Sequence, residues 1–182
     1  MPTDLELLQR TCRGEDAPAR ELWSRFGPRL TAFAASLLRR DGGREAADDV
    51  VQAVFYRVIR TDRHTIAAVQ DVAAWLARAI RNEALNHIRG RGVARHSAAG
   101  ISLLPRSGGP PSGPHSPEAP AGFDDLHEAL DSIPESLREV VLLKHVAGLT
   151  FDQIAISLDE NRNTVASRYT KAMQLLLSLI HI

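Results

Sequence analysis

The sequence predicts an all-α protein of two small helical domains joined by a Pro/Gly-rich linker, and the second domain has the pattern of a helix-turn-helix. Apolar residues recur at helical spacing in both parts of the 182-residue chain, and sustained alternation of β-branched residues is absent. Between the two parts, residues 104–122 contain six prolines, four glycines and three serines, a composition that supports neither helix nor strand. We therefore predict a first domain over residues 1–95, a flexible linker over 96–122 and a second domain over 123–182.

Three amphipathic helices are predicted in the first domain. Apolar residues at helical spacing define one helix over residues 22–37, which we expect to be interrupted or kinked at Gly27-Pro28. A complete apolar stripe defines the second helix, over 44–60. The third begins near Val72 and is expected to end near Arg89, because glycines follow at positions 90 and 92.

The second domain has clearer boundaries. A helix that starts near Leu137 ends at Gly148, and Thr150 with Gln153 then forms a capping box for a short helix. A turn over residues 159–161 follows, in which Asn161 is a suitable N-cap for the last helix. A short helix, a tight turn and a longer helix are typical of a helix-turn-helix, the second helix of which binds in the major groove of DNA.

Composition and motifs argue against an enzyme. Cys12 is the only cysteine, so internal disulfides and multi-thiolate metal sites are excluded, and the histidines lack ligand spacing. The chain has no phosphate-binding loop and no nucleophile motif, so we predict no catalytic residue, metal or cofactor. With neither a signal peptide nor an apolar stretch of about 20 residues, we expect a cytoplasmic protein without membrane insertion.

Two helix faces have the side chains of a nucleic-acid surface. The last helix carries donors for phosphates and base edges off its apolar stripe, at Arg162, Asn163, Thr164, Ser167, Arg168 and Lys171. The third helix of the first domain has a second such face, formed by Arg78, Asn82, Asn86 and Arg89, with Arg81, Arg91 and Arg95 nearby. Ordinary solvated helix surfaces are the alternative for both, and Trp75 is better explained as a core residue.

Five sequence strings resemble conserved regions two and four of bacterial sigma factors. Residues 48–55 and 75–89 are similar to region two, and residues 133–140, 148–155 and 163–169 are similar to region four. Their order and the intervening linker resemble the extracytoplasmic-function class, which keeps only these two regions. This resemblance implies a dissociable subunit of RNA polymerase that acts at promoters.

The resemblance assigns a role to each surface. It implies that Asp48, Asp49 and Gln52, on the outward face of the 44–60 helix, bind core RNA polymerase. It implies that the Arg78-to-Arg89 face binds the minus-ten element of promoter DNA, and that the last helix reads the minus-thirty-five element. An anti-sigma protein is a further implied partner, whereas no small-molecule substrate is expected.

Charge is distributed unevenly, although the chain as a whole is neutral. Residues 1–92 carry a net charge of +3 and residues 161–182 a net charge of +3, whereas residues 123–160 carry −7. We expect two basic surfaces that face DNA, and an acidic surface on the opposite, scaffold side of the second domain.

Two alternatives remain at this point. The chain could be a helix-turn-helix regulator that acts without polymerase, or a decoy that sequesters polymerase or an anti-sigma protein. The decoy gains some support from Ala53, which stands where sigma factors usually have an acid after the glutamine. Run-off transcription with purified core enzyme separates the three, because only an initiator yields a promoter-dependent transcript.

The last six residues, Leu177 to Ile182, are predicted not to be native. The codons CTG TCT CTT ATA CAC ATC would encode them, and that string is the mosaic end of a transposase-based sequencing adapter. The ending is also apolar, whereas a final helix usually gathers Lys or Arg and stops at Gly or Asn.

Overall fold

The structure is a computed structural model that describes residues 2–98 and 123–180, with side chains for 2–90 and 128–179. All regular structure in these residues is helical, which confirms the predicted fold class. The first module, residues 2–98, contains the helices α1 (Asp4–Thr11), α2 (Asp16–Leu37), α3 (Gly43–Arg60), α4 (Arg63–Ala67) and α5 (Val72–Ala98). The second module, residues 123–180, contains α6 (Phe123–Ser132), α7 (Glu135–His145), α8 (Phe151–Leu158) and α9 (Arg162–Ile180).

Three short helices, α1, α4 and α6, were not predicted. The α1 helix begins with a capping box, in which the Thr3 hydroxyl accepts from the Glu6 N–H at 3.2 Å and Glu6 accepts from the Thr3 N–H at 2.8 Å. It buries Leu7 and Leu8 against the rest of the first module. The apolar stripe of an eight-residue helix covers barely two turns, which is too short for periodicity to be recognised.

Pro28 does not interrupt α2, which runs without a break from Asp16 to Leu37. The preceding Gly27 is buried, and a Cβ atom at that position would lie 2.8 Å from Cδ2 of Trp23. The indole therefore packs directly on the glycine backbone. Packing of a long apolar face, which includes the fully buried Leu22 and Phe33, holds the helix together across the proline.

The predicted end of α5 near Arg89 is wrong, because the helix continues to Ala98. Glycine costs a helix interior about 1 kcal/mol relative to alanine, but it keeps its N–H and does not clash with the preceding turn as proline does. The glycines at positions 90 and 92 therefore weaken the helix without ending it. The rest of the predicted linker, residues 99–122, lies outside the described residues.

The helix-turn-helix of the second module is confirmed. Gln153 accepts from the Thr150 N–H at 2.9 Å while Thr150 accepts from the Gln153 N–H at 3.3 Å, so the capping box of α8 is complete. Asp159 ends the helix in the left-handed conformation, with φ of 58°. Asn161 then accepts from the Asn163 N–H at 2.8 Å and caps α9.

The two modules pack against each other. The α8 helix lies on α5 and α7 lies on α2, so the helix-turn-helix contacts the first module directly. Buried apolar side chains from both modules form one continuous cluster, to which Leu76 and Ile80 contribute from one side and Leu143 and Ile154 from the other. The sequence predicts two domains but contains no sign of this contact.

The end of α9 exposes Leu177 and Leu179 to solvent. The foreign origin predicted for residues 177–182 stays a prediction, and residues 181–182 lie outside the described part of the chain. Among the helices that the structure describes, none combines the length and the apolar character that a bilayer crossing requires.

Candidate polymerase and nucleic-acid interfaces

The outward face of α3 is polar and uncovered. Asp48, Asp49, Gln52 and Tyr56 are all exposed along it, and the guanidinium of Arg60 lies 4.3 Å from the centre of the Tyr56 ring. The opposite face packs into the first module through the buried residues Ala46, Ala47, Val50, Val51, Val54 and Val58. The helix is thus fixed by one face and presents carboxylates and an amide to solvent on the other.

A groove beside this face was not predicted from the sequence. It has a volume of about 480 Å³ and is lined by Trp23, Pro28, Thr31, Ala32, Ala35, Arg44 and Asp48. Trp23 remains 43% exposed, although its ring packs edge-on against Phe55 with the ring centres 4.9 Å apart. The sequence contained one signal, since Trp23 follows Leu22 directly and so falls off the apolar stripe of α2. The groove extends the exposed α3 face with apolar surface.

The α5 helix presents the predicted minus-ten residues together. Arg78, Asn82, Asn86 and Arg89 are all exposed along it. Trp75 is half-buried and packs against the core, in agreement with a structural role. The side chains of the two further arginines at positions 91 and 95 lie outside the described residues.

Two arginines of α5 form ion pairs with acidic residues of the second module. Arg81 forms an ion pair with Glu139 of α7, in which Nη2 lies 3.1 Å from Oε2 and Nε donates to Oε1. Glu139 is only 9% exposed, and its hydrogen bonds raise the pKa of Arg81 above the ordinary value. Nη2 of Arg78 also lies 3.9 Å from Oδ2 of Asp159.

A second ionic cluster joins the modules near the end of α2. The carboxylate of Asp131 forms ion pairs with Nη2 of Arg39 and, at 3.2 Å, with Nη2 of Arg40, both from the first module. It also pairs with Nη1 of Arg138 of its own module, at 2.9 Å. Its side chain is only 13% exposed. Three acids of the segment 123–160, at positions 131, 139 and 159, therefore face the first module, and for them the predicted place on a scaffold side away from the basic surfaces is wrong. Periodicity could not reveal this, because it assigns residues to a helix face without saying what covers that face.

The residues of α9 that are predicted to bind DNA are accessible. Arg162, Asn163, Thr164, Ser167 and Lys171 are exposed, and Arg168 is half-buried. Two of the cations pair with acids of the second module itself. Nε of Arg162 lies 2.9 Å from Oδ1 of Asp152, and Nη1 of Arg168 lies 2.6 Å from Oε1 of Glu160.

The side chains that the structure describes contain no group of three or more His, Cys, Asp or Glu that could hold a metal ion. Three exposed helix faces are the candidate functional surfaces. One is acidic and amide-bearing on α3, and two are basic on α5 and α9.

Comparison with known sequence families gives two matches. Residues 22–93 match Sigma-70 region 2, and residues 123–176 match Sigma-70, region 4. The first match contains α3 and α5, the second contains the helix-turn-helix, and together they cover more than two thirds of the chain.

Several curated proteins are similar to this chain over most of its length. The ECF RNA polymerase sigma factor EcfG of Rhodopseudomonas palustris is 26% identical over 155 residues, which is 85% of this chain and 81% of that protein. SigE of Mycolicibacterium smegmatis is 30% identical over 75% of this chain, although only 52% of that protein is covered. The sigma-E factor of Escherichia coli K12 is 27% identical over 94% of this chain and 91% of its own length.

Two solved structures share the fold. The sigma factor RpoE of Bartonella quintana, in complex with the anti-sigma factor NepR, aligns with a TM-score of 0.67 at 22% identity and covers 90% of this chain and 96% of its own. CnrH in complex with the cytosolic domain of CnrY aligns with the same TM-score and identity, covering 98% of this chain and 97% of its own.

Proposed function

The chain belongs to the extracytoplasmic-function sigma factors of the sigma-70 family, which direct promoter recognition by RNA polymerase, and we propose that three of its helices divide this task. The outward face of α3 binds core polymerase. The α5 helix binds the minus-ten element, and α9 binds the minus-thirty-five element. Sigma factors are initiation factors rather than enzymes, so the chemistry belongs to polymerase and this chain acts in the cytoplasm, where polymerase and DNA are.

One observation carries the assignment of α3. Its exposed face is polar and has no cover within the described part of the chain, while its other face is entirely used for packing. Asp49 and Gln52 lie close to one turn apart on that face, so one partner surface can contact both. The adjacent groove adds apolar surface around Trp23. An aromatic residue surrounded by polar groups is a common composition of protein interfaces.

The experiment is the double substitution Asp49→Ala with Gln52→Ala. Both side chains are exposed, so the free energy of unfolding should change by no more than about 0.5 kcal/mol. Binding to core polymerase, measured by fluorescence polarisation, should fall markedly, and run-off transcription should fall with it. Asp16→Ala with Gln70→Ala removes the same two residue types from other exposed positions of the first module and serves as the matched control. Unchanged core binding in the α3 variant would exclude this face.

The two DNA assignments are supported by exposure and charge. The α9 surface holds three cations, and no acid follows Asn161 in the chain. The α5 surface combines Arg78 and Arg89 with two exposed amides, which suits binding to an unstacked strand. Because recognition is divided between two modules, promoter binding tightens when core polymerase holds both modules on one DNA molecule.

An anti-sigma protein is a further proposed partner. The support is that both similar solved structures are complexes of a sigma factor with such a protein. Co-purification of this chain with the product of a neighbouring gene, followed by loss of run-off transcription when that product is added, would establish the partner. A full transcript at saturating product would exclude it.

A further inference from the structure

Three arginines lie at the end of the first module where α1 packs against α3 and α4. Arg13 lies just after α1, Arg60 is the last residue of α3 and Arg63 is the first residue of α4. All three side chains are exposed, and none forms an ion pair within the part of the chain that the structure describes. These residues form the arginine surface of the first module, which presents positive charge to solvent.

The acids next to these arginines in the chain are engaged by other groups. Glu15 pairs with Arg10, whose Nη2 lies 2.7 Å from Oε2 of that carboxylate. The Asp62 carboxylate caps α4, where it accepts from the Thr65 hydroxyl at 2.6 Å and from the Thr65 N–H at 2.9 Å. These two hydrogen bonds lower the pKa of Asp62 below its ordinary value. One carboxylate among three arginines leaves the arginine surface with a net positive charge.

Two of the arginines share a small pocket. It has a volume of about 150 Å³ and is lined by Gln9, Cys12, Arg13, Arg63 and Ile66. Pockets for small molecules usually have volumes of about 300–1,000 Å³, so this pocket is too small for a nucleotide. A single phosphate group is smaller, and guanidinium groups bind phosphate oxygens through charge-assisted hydrogen bonds. The size and the charge of the pocket therefore favour one phosphate.

The other residues that line the pocket carry no negative charge. The Cys12 thiol donates to the carbonyl oxygen of Val58, with 3.1 Å between sulfur and oxygen. Burial raises the pKa of this thiol, so it stays neutral and does not repel an anion. Ile66 is apolar and fully buried, and Gln9 contributes a neutral amide. The two guanidinium groups consequently determine the charge of the pocket.

The arginine surface adjoins the α5 face that is proposed to bind the minus-ten element. Arg57 of α3 forms an ion pair with Glu83, which lies one turn before Asn86 on α5. Arg60 lies one turn beyond Arg57. Residues 68–71 connect α4 with α5, and four residues span at most about 14 Å. At about 3.4 Å per nucleotide, a strand that leaves α5 would reach the arginines within about four nucleotides.

We propose that the arginine surface binds the phosphate backbone of single-stranded promoter DNA beyond the minus-ten element. It is a second DNA site of the first module, separate from the Arg78-to-Arg89 face. Contacts to phosphates fix the path of a strand without reading its sequence. A single strand is favoured over a duplex, because a flexible backbone can place one phosphate in a pocket of this size. This inference rests on the proposed role of α5, from which the strand continues.

The test variant is Arg13→Gln with Arg63→Gln, which removes both cations of the pocket and leaves the α5 face unchanged. Neither arginine forms an ion pair among the described residues, so the substitutions leave no carboxylate unpaired, and circular dichroism should show an unaltered fold. The matched control is Arg20→Gln with Arg44→Gln. These are two exposed cations of the same module that likewise form no ion pair among the residues described.

Binding of the full chain is measured by polarisation of fluorescein-labelled oligothymidylates at several salt concentrations. A strand of about six nucleotides covers about 20 Å, close to the distance of about 17 Å from Arg78 to Arg89 along α5. A strand of about 15 nucleotides also reaches the arginine surface. For this longer strand, the log–log salt slope should fall by about 1.4 units in the test variant, which is about 0.7 units per lost phosphate contact. The slope for the shorter strand should not change, and the control variant should keep both slopes.

An unchanged slope for the longer strand overturns the proposal. An equal loss for both lengths overturns it as well, because that result would be a general effect of charge. Loss of core polymerase binding with unchanged slopes would assign the arginine surface to polymerase instead.

The variant Arg78→Gln with Arg89→Gln tests the proposed function separately, because it should weaken binding of both strand lengths. If that variant binds both lengths normally, the proposed role of α5 fails. If it weakens both lengths and the test variant has no effect, this inference fails alone.

Discussion

The two basic helices, α5 and α9, differ in where their acidic partners come from. On α9, Arg162 and Arg168 pair with Asp152 and Glu160, which belong to the same module. On α5, Arg78 and Arg81 pair with acids that belong to the other module. Moving the modules apart would therefore remove these ion pairs of α5 and leave those of α9 in place.

This difference separates two kinds of control over DNA binding. The acids that pair with α9 belong to the helix-turn-helix itself, so we expect the α9 surface to behave alike in the free factor and in the polymerase complex. The α5 surface depends on an arrangement of whole modules, so we expect its affinity to change with every partner that moves them.

Removing the buried anchor of α8 should disturb both basic helices, because α8 packs against each of them. Ile154 is fully buried, and Ile154→Ala should lower the free energy of unfolding by about 2–5 kcal/mol, measured by urea denaturation. Ile156→Ala on the same helix is the control, since Ile156 is 44% exposed and its loss should change stability by no more than about 0.5 kcal/mol. Similar losses in the two variants would mean that α8 is not seated as described.

The salt dependence of DNA binding should show how much each cation of α9 contributes to phosphate contacts. Lys171 is exposed and makes no ion pair within the part of the chain that the structure describes, whereas Arg168 must first leave Glu160. Lys171→Ala should reduce the log–log salt slope of duplex binding by about one unit, and Arg168→Ala by less. Arg20→Ala, an exposed cation outside both surfaces, should leave the slope unchanged.

Measuring the base preference of Arg168→Ala beside its salt slope distinguishes two further roles for Arg168. A change in the preferred minus-thirty-five bases on Arg168→Ala would mean that this side chain reads a base edge. A normal slope together with normal base preference would remove Arg168 from the interface.

Neutralising the local acid of α9 should have the smallest effect. Glu160→Gln releases Arg168 from a partly exposed pair worth under about 1 kcal/mol, so binding of a minus-thirty-five duplex should tighten by up to about threefold. Binding of single-stranded DNA through α5 should not change. Weaker duplex binding would show instead that Glu160 orients Arg168 for its contact, and an equal gain in single-strand binding would contradict the separation of the two surfaces.

Much of the helical framework could be predicted from the sequence. The stripe over residues 44–60 identified the helix that exposes Asp49 and Gln52, and the Thr150–Gln153 capping box located α8. These predictions succeeded because a periodic face or a cap depends on residues within about four positions of one another. The glycines at positions 90 and 92 failed as a stop signal for α5, since they lower helix propensity without removing a hydrogen bond.

The longer helices, the helix-turn-helix and the polar outward face of α3 could be predicted from the sequence, because they follow from short-range hydrogen bonding and from amphipathic spacing. The tertiary structure alone decided that Asp131 and Glu139 face the arginines of the first module. Glu139 is 58 positions from Arg81, and Asp131 is 92 positions from Arg39. A carboxylate attracts any cation brought near it, so its partner depends on how the two modules pack, and helical periodicity carries no information about that packing.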